Sequence, residues 1–152
     1  MRRLTLGGVP LHPALVHLPI ALWLSVPALD AASLLGRCSE CWRLGWWAAL
    51  AGVLAALPAM LAGALDAAAS RAVLEAEATV WRHAGLMSLS WTFFAIGSLL
   101  SRPDGPPPVP VLAVVALHVL GLLALLIGAH AGGRLAYVHR LPRDSAGPPS
   151  PR

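Results

Sequence analysis

The chain has 152 residues, a formal net charge of +4, 57% apolar residues and only 12% charged ones. That composition lies outside the range of soluble globular domains, so water is not its main solvent. Its basic residues are all Arg and sit at the ends of apolar runs instead of forming a basic stripe, which excludes nucleic acid as the partner the charge would otherwise suggest.

Four apolar runs follow one another: Pro13–Leu35, Leu44–Leu65, Ala84–Leu100 and Val109–Ala131. The first contains Asp30 and the other three contain no Asp, Glu, Lys or Arg. Each is near the roughly 20 residues that a bilayer-spanning helix needs. The expected fold class is therefore all-α, an integral membrane four-helix bundle in contact with the lipid bilayer. Arg2 and Arg3 precede the first run as in a signal sequence, but the run is long for a signal core and includes His17, Pro19 and Pro27, so it reads as a retained helix. Loop one, Gly36–Arg43, is short and holds a lone CxxC, Cys38 and Cys41. Two thiols cannot fill a tetrahedral zinc site, and no His follows Cys41 as haem attachment would require. A local disulfide or two idle thiols is preferred to a redox centre.

In the second run Gly45, Ala49, Gly52, Ala56, Ala59 and Gly63 form a small-residue stripe, and in the fourth Gly121, Ala124 and Gly128 form a shorter one, with Ala113 on the same side beyond Leu117. Lipid removes most of the advantage of apolar burial, so helices associate where small residues let them approach. Pro19, Pro27 and Pro58 are expected to kink their helices. Loop two, Asp66–Arg82, is expected to extend its helices or lie on the membrane surface, and loop three, Ser101–Pro108, is turn-rich. Gly132-Gly133 reads as a helix terminator, and residues 141–152 as a disordered tail. Trp42, Trp46 and Trp47 are expected to anchor one interface, Trp81 and Tyr137 the other.

Ionisable groups inside a membrane are costly and usually functional. With alternating helix directions, His12, His17, Asp66, His83 and His130 fall at one depth, with His139 close behind. Asp30 and His118 fall roughly 18–20 Å further along, as a second layer, and a pairing of the two is one way to hold the carboxylate. The first layer makes His17, His83, His12 and His130 candidate haem ligands, and His17, His83 and Asp66 candidate metal ligands. The bland readings stand beside these: interfacial anchors for His12, His83 and His130, a cap on a proline-freed carbonyl for His17, and a solvated turn for Asp66.

The segments His12-Pro13-Ala14-Leu15-Val16-His17-Leu18-Pro19-Ile20, Ala62-Gly63-Ala64-Leu65-Asp66, Arg82-His83 and Gly132-Gly133-Arg134-Leu135-Ala136-Tyr137-Val138-His139, with Asp30, resemble a family of small bacterial four-span membrane proteins known as domain of unknown function 2231. The resemblance covers about residues 10–139. His12, His17, Asp66, His83 and His139 match its pattern, Arg140 stands where Gly is usual, and His118 and His130 are particular to this chain. Members fused to Rieske-type iron–sulfur or cytochrome modules imply a place near electron transfer, with redox or respiratory membrane proteins as partners.

Three readings of function follow: an electron-transfer protein binding b-type haem or a transition metal through inward His, a structural or assembly subunit without cofactor, and a proton or metal-ion conduit. No nucleophile–base arrangement supports a hydrolytic enzyme. Eight Arg lie on the side of the termini and loop two against three on the other, so the positive-inside rule expects both termini in the cytoplasm of a bacterial inner-membrane protein. Reporter fusions after Arg37, Arg82 and Arg140 test this: only the Arg37 fusion should give a periplasmic signal, and a periplasmic signal at Arg140 refutes it.

Overall fold

The computed structural model describes residues 5–38, 40–69, 76–101 and 110–138. The expected tail, loop three apart from Ser101, and His139 lie outside these residues. Strands β1 (Thr5–Leu6) and β2 (Val9–Pro10) form a small antiparallel hairpin turned by Gly7 and Gly8, whose φ values of 59° and 83° favour glycine. Helices α1 (Leu11–Leu15), α2 (His17–Leu34), α3 (Cys41–Ala69), α4 (Glu77–Leu100) and α5 (Leu112–Tyr137) follow.

Four helical stretches, Leu11–Leu34, Cys41–Ala68, Glu77–Leu100 and Leu112–Tyr137, are long and apolar enough to cross a membrane. They outrun the apolar segments at several ends because charged residues such as Glu77 and Arg82 continue the helical path beyond the apolar run. The first span is interrupted at Val16, between α1 and α2, three residues before Pro19, whose missing N–H leaves the Leu15 carbonyl without its helical partner. Pro27 and Pro58 lie inside α2 and α3.

The helices close into a ring in which α2 packs on α3, α3 on α4, α4 on α5 and α5 on α2. The chain is an integral membrane four-helix bundle. Its outward face is leucine-rich, with Leu24, Leu54, Leu61, Leu99, Leu120 and Leu123 exposed, while Ala49, Gly52, Ala56, Ala59, Gly121, Ala124 and Gly128 are buried. This is the arrangement lipid favours, since leucine gains nothing by leaving it. Ala113 is exposed, so the α5 stripe begins at Gly121 and His118 takes the inward place before it. Trp42 is buried and anchors no interface, whereas Trp47, Trp81 and Tyr137 are exposed.

The hairpin of α1, α2 and α3 and the hairpin of α4 and α5 repeat each other's contacts. Trp23 fills the notch at Gly52, and Phe94 fills the notch at Gly121. Trp23 and Phe94 stack face to face with ring centroids 4.9 Å apart. His12 precedes Trp23 by the same eleven positions that separate His83 from Phe94, and the ring centroids of His12 and His83 are 6.4 Å apart. Two residues that each touch their own counterpart must lie on a two-fold axis, which here runs along the bundle.

The notch at Gly52 is tight, because a Cβ there would lie 2.5 Å from Trp23 Nε1. Gly52→Val should therefore lower stability by about 1–3 kcal/mol, the usual effect of overpacking. Thermal unfolding in detergent measures it, and an unchanged midpoint would mean that α2 and α3 do not meet there.

Candidate functional site

At the end of the bundle where α1 and α4 begin, His12 Nδ1 lies 2.7 Å from the Ala59 carbonyl and His83 Nδ1 lies 2.8 Å from the Gly128 carbonyl. A carbonyl only accepts, so each Nδ1 carries the proton and donates it. Both bonds have the same local cause. The carbonyl of a helical residue points toward the residue four positions on, and here those residues are Gly63 and Gly132. A Cβ at Gly63 would lie 2.8 Å from His12 Nδ1, and one at Gly132 would lie 2.9 Å from His83 Cε1. The missing side chains are what admit the imidazoles. The two rings meet edge to face, with planes 85° apart.

The partner of His83 is thus His12, and the His17–His83 pairing is not formed. His17 is exposed, its Nδ1 3.4 Å from the Ala14 carbonyl of its own turn. Five helical positions turn the direction of a side chain by about 140°, so with His12 inward His17 points out. His130 is also exposed, two positions beyond the inward Gly128. Asp66 is half-buried and engaged in an interaction of its own. Among the described residues no three His, Cys, Asp or Glu side chains gather as metal ligands, so His17, His83 and Asp66 do not form a triad.

Nearer the other end, His118 Nδ1 and Asp30 Oδ2 are 2.7 Å apart and both side chains are almost wholly buried. The pair bridges α5 and α2, and Phe94 stacks on the imidazole with centroids 5.5 Å apart. Gly97 makes room for the ring, since a Cβ there would lie 2.6 Å from His118 Nε2. Asp30 Oδ1 and His118 Nε2 are buried without a hydrogen-bond partner. The internal two-fold is broken here, because the positions equivalent to Asp30 and His118 hold Ser101 and Ala49.

A family model described as Predicted membrane protein (DUF2231) matches residues 8–144. The chain belongs to that family. No curated protein and no solved structure matches it. Both polar pairs, and the glycines that admit them, fall within the matched residues.

Sequence reasoning placed these groups at their depths but missed the His12–His83 contact. The available signal was a repeat, His12 to Trp23 and His83 to Phe94 at one spacing, and Gly52 to Gly63 and Gly121 to Gly132 at the same spacing.

Breaking a buried pair strands its partner, so Asp30→Ala or His118→Ala should each cost about 3–5 kcal/mol, while the double change Asp30→Leu with His118→Leu should recover most of that loss. Unfolding of the three variants in detergent decides it. Additive losses in the double variant would show that the pair is not coupled.

Proposed function

We propose that the chain is a membrane-embedded electron-transfer component in which His12 and His83 hold a haem iron or a transition metal. The observation that supports this is the backbone anchoring of both rings. With each Nδ1–H spent on a carbonyl, the lone pair of each imidazole resides on Nε2, the neutral tautomer that ligates metals, and carbonyl anchoring of the other nitrogen is the usual support of a ligating His. His12 and His83 would hold such a group from facing hairpins, their ring centroids 6.4 Å apart.

Among the described residues no third His, Cys, Asp or Glu joins the two, which would suit a haem iron better than a tetrahedral zinc. A bound haem b supplies a one-electron couple. The chain's own residues fix the tautomer and angle of both imidazoles, and Gly63 and Gly132 hold them against α3 and α5. The surrounding bundle limits water. Redox or respiratory proteins of a bacterial inner membrane, with the histidine end cytoplasmic, are the partners this reading implies.

A second reading rests on Asp30 and His118. A buried pair on neighbouring helices fixes their register, as a structural or assembly subunit requires, and the same two groups are the proton-holding element a conduit would use.

Absorption spectroscopy and metal analysis of detergent-purified protein distinguish these. His12→Ala and His83→Ala should each abolish a Soret band or remove stoichiometric metal, while His17→Ala should leave either unchanged. Wild-type protein carrying neither haem nor metal after expression with both supplied defeats the cofactor reading and leaves the structural one.

A further inference from the structure

Cys38 and Cys41 are joined in a disulfide where loop one enters α3. The two sulfurs are not equivalent: Cys41, the first residue of α3, is buried, while Cys38, just before the helix, is half-buried. An accessible Cys ahead of a buried one at a helix start is the arrangement thiol–disulfide exchange uses, because the unpaired amides of the first turn stabilise charge developing on sulfur. A second, independent feature lies beneath it. Gly45 follows Cys41 by one turn, about 6 Å along the same face of α3. A Cβ at Gly45 would lie 3.3 Å from Asp30 Oδ1, the buried carboxylate oxygen that has no partner. The unused oxygen therefore lies against α3 one turn below Cys41. Behind it, Asp30 Oδ2 is bound to His118.

We propose that this end of the bundle is a thiol–disulfide exchange centre that oxidises a dithiol in a partner polypeptide, with the buried Asp30–His118 pair biasing the protonation of Cys41. A substrate thiolate forms a bond to Cys38 Sγ, the Cys38–Cys41 bond breaks, and its electron pair leaves on Cys41. The Cys41 thiolate takes up the proton that the second substrate thiol gives up, and the buried Asp30–His118 pair one turn below sets how readily it does so. The second substrate thiol then displaces Cys38. One substrate disulfide forms, Cys38 and Cys41 are reduced, and the two thiol protons of the substrate are balanced by those gained by the cysteines. Among the described residues the other charged groups at this end are Arg37, Glu40 and Arg43. All three are exposed, and Glu40 and Arg43 pair with each other. The described part of α4 from Ala84 onward contributes no ionisable side chain, and the facing half of α5 contributes only His118.

The test uses the full chain, oxidised, in nanodiscs, mixed with a reduced two-cysteine peptide, then acid-quenched, alkylated and weighed. One peptide disulfide per chain is expected, formed at least tenfold faster than by a free oxidised peptide of residues 36–43. Cys41→Ser given the oxidised peptide should trap it on Cys38, whereas Cys38→Ser should trap none. Asp30→Asn should slow exchange at least tenfold and shift the pH profile of the rate, a change that mere loss of packing would not produce. His118→Gln, checked for folding by gel filtration, is the second variant. Should neither fold, alkylation of reduced wild type across pH replaces them: a second inflection in the Cys41 rate supports the coupling, and a single thiol titration overturns it. Exchange no faster than the free peptide, equal trapping at both cysteines, or an unmoved pH profile in a folded variant also overturns the proposal.

Discussion

A side-chain donor inside a bilayer has no water to turn to, and in this bundle the donors are satisfied by helix carbonyls that small residues leave uncovered. A helix carbonyl already accepts one bond from the residue four positions on, yet it has a second lone pair, and what normally shields that lone pair is the neighbouring side chain. Where the neighbour is Gly63 or Gly132, an imidazole reaches it. Trp23 donates to the Ala49 carbonyl beside Gly52, Trp91 to that of Val53 and Ser90 to that of Gly121. These bonds cross from one helix to another, and at Gly63 and Gly132 the glycines that permit close packing are also the positions that orient the polar groups. Packing and site geometry are one property of the same residues.

The Asp30–His118 pair is built differently. It satisfies itself side chain to side chain, and it leaves one polar atom over on each partner. Gly45 and Gly97 lie against those two leftover atoms, so glycine there supplies space and not a carbonyl. A pair with spare valence at one end of the bundle and a pair with anchored Nδ1 atoms at the other are chemically distinct. One is suited to moving a proton and the other to offering a lone pair.

Much of the architecture was legible because lipid imposes long uncharged runs and small-residue stripes, and both are visible in one dimension. Depth was legible for the same reason, since counting at 1.5 Å per residue puts His12, His83 and His130 together and Asp30 near His118. Direction was not. His12 and His17 share a depth and differ by about 140° in azimuth, and which of them faces inward depends on how α1 and α2 join at Val16. The stripe on α3 runs unbroken to Gly63, whereas the one on α5 ends in His118 at a place where Ala113 suggested continuation. The disulfide was foreseeable as a local option from the CxxC spacing, but the carboxylate beneath Cys41 comes from a different helix and follows only from how α2 lies on α3.

The internal two-fold has a consequence for ancestry. A single helical hairpin carrying one histidine, one aromatic residue and the two spaced glycines would, as a homodimer, generate both the facing histidines and the stacked aromatic rings, because each pair is made of equivalent positions. Such a dimer could never present a lone Asp–His pair, since any residue placed once would appear twice. Joining two hairpins in one polypeptide frees the copies to diverge, and the end of the bundle with Asp30, His118 and the cysteines is where this chain has used that freedom.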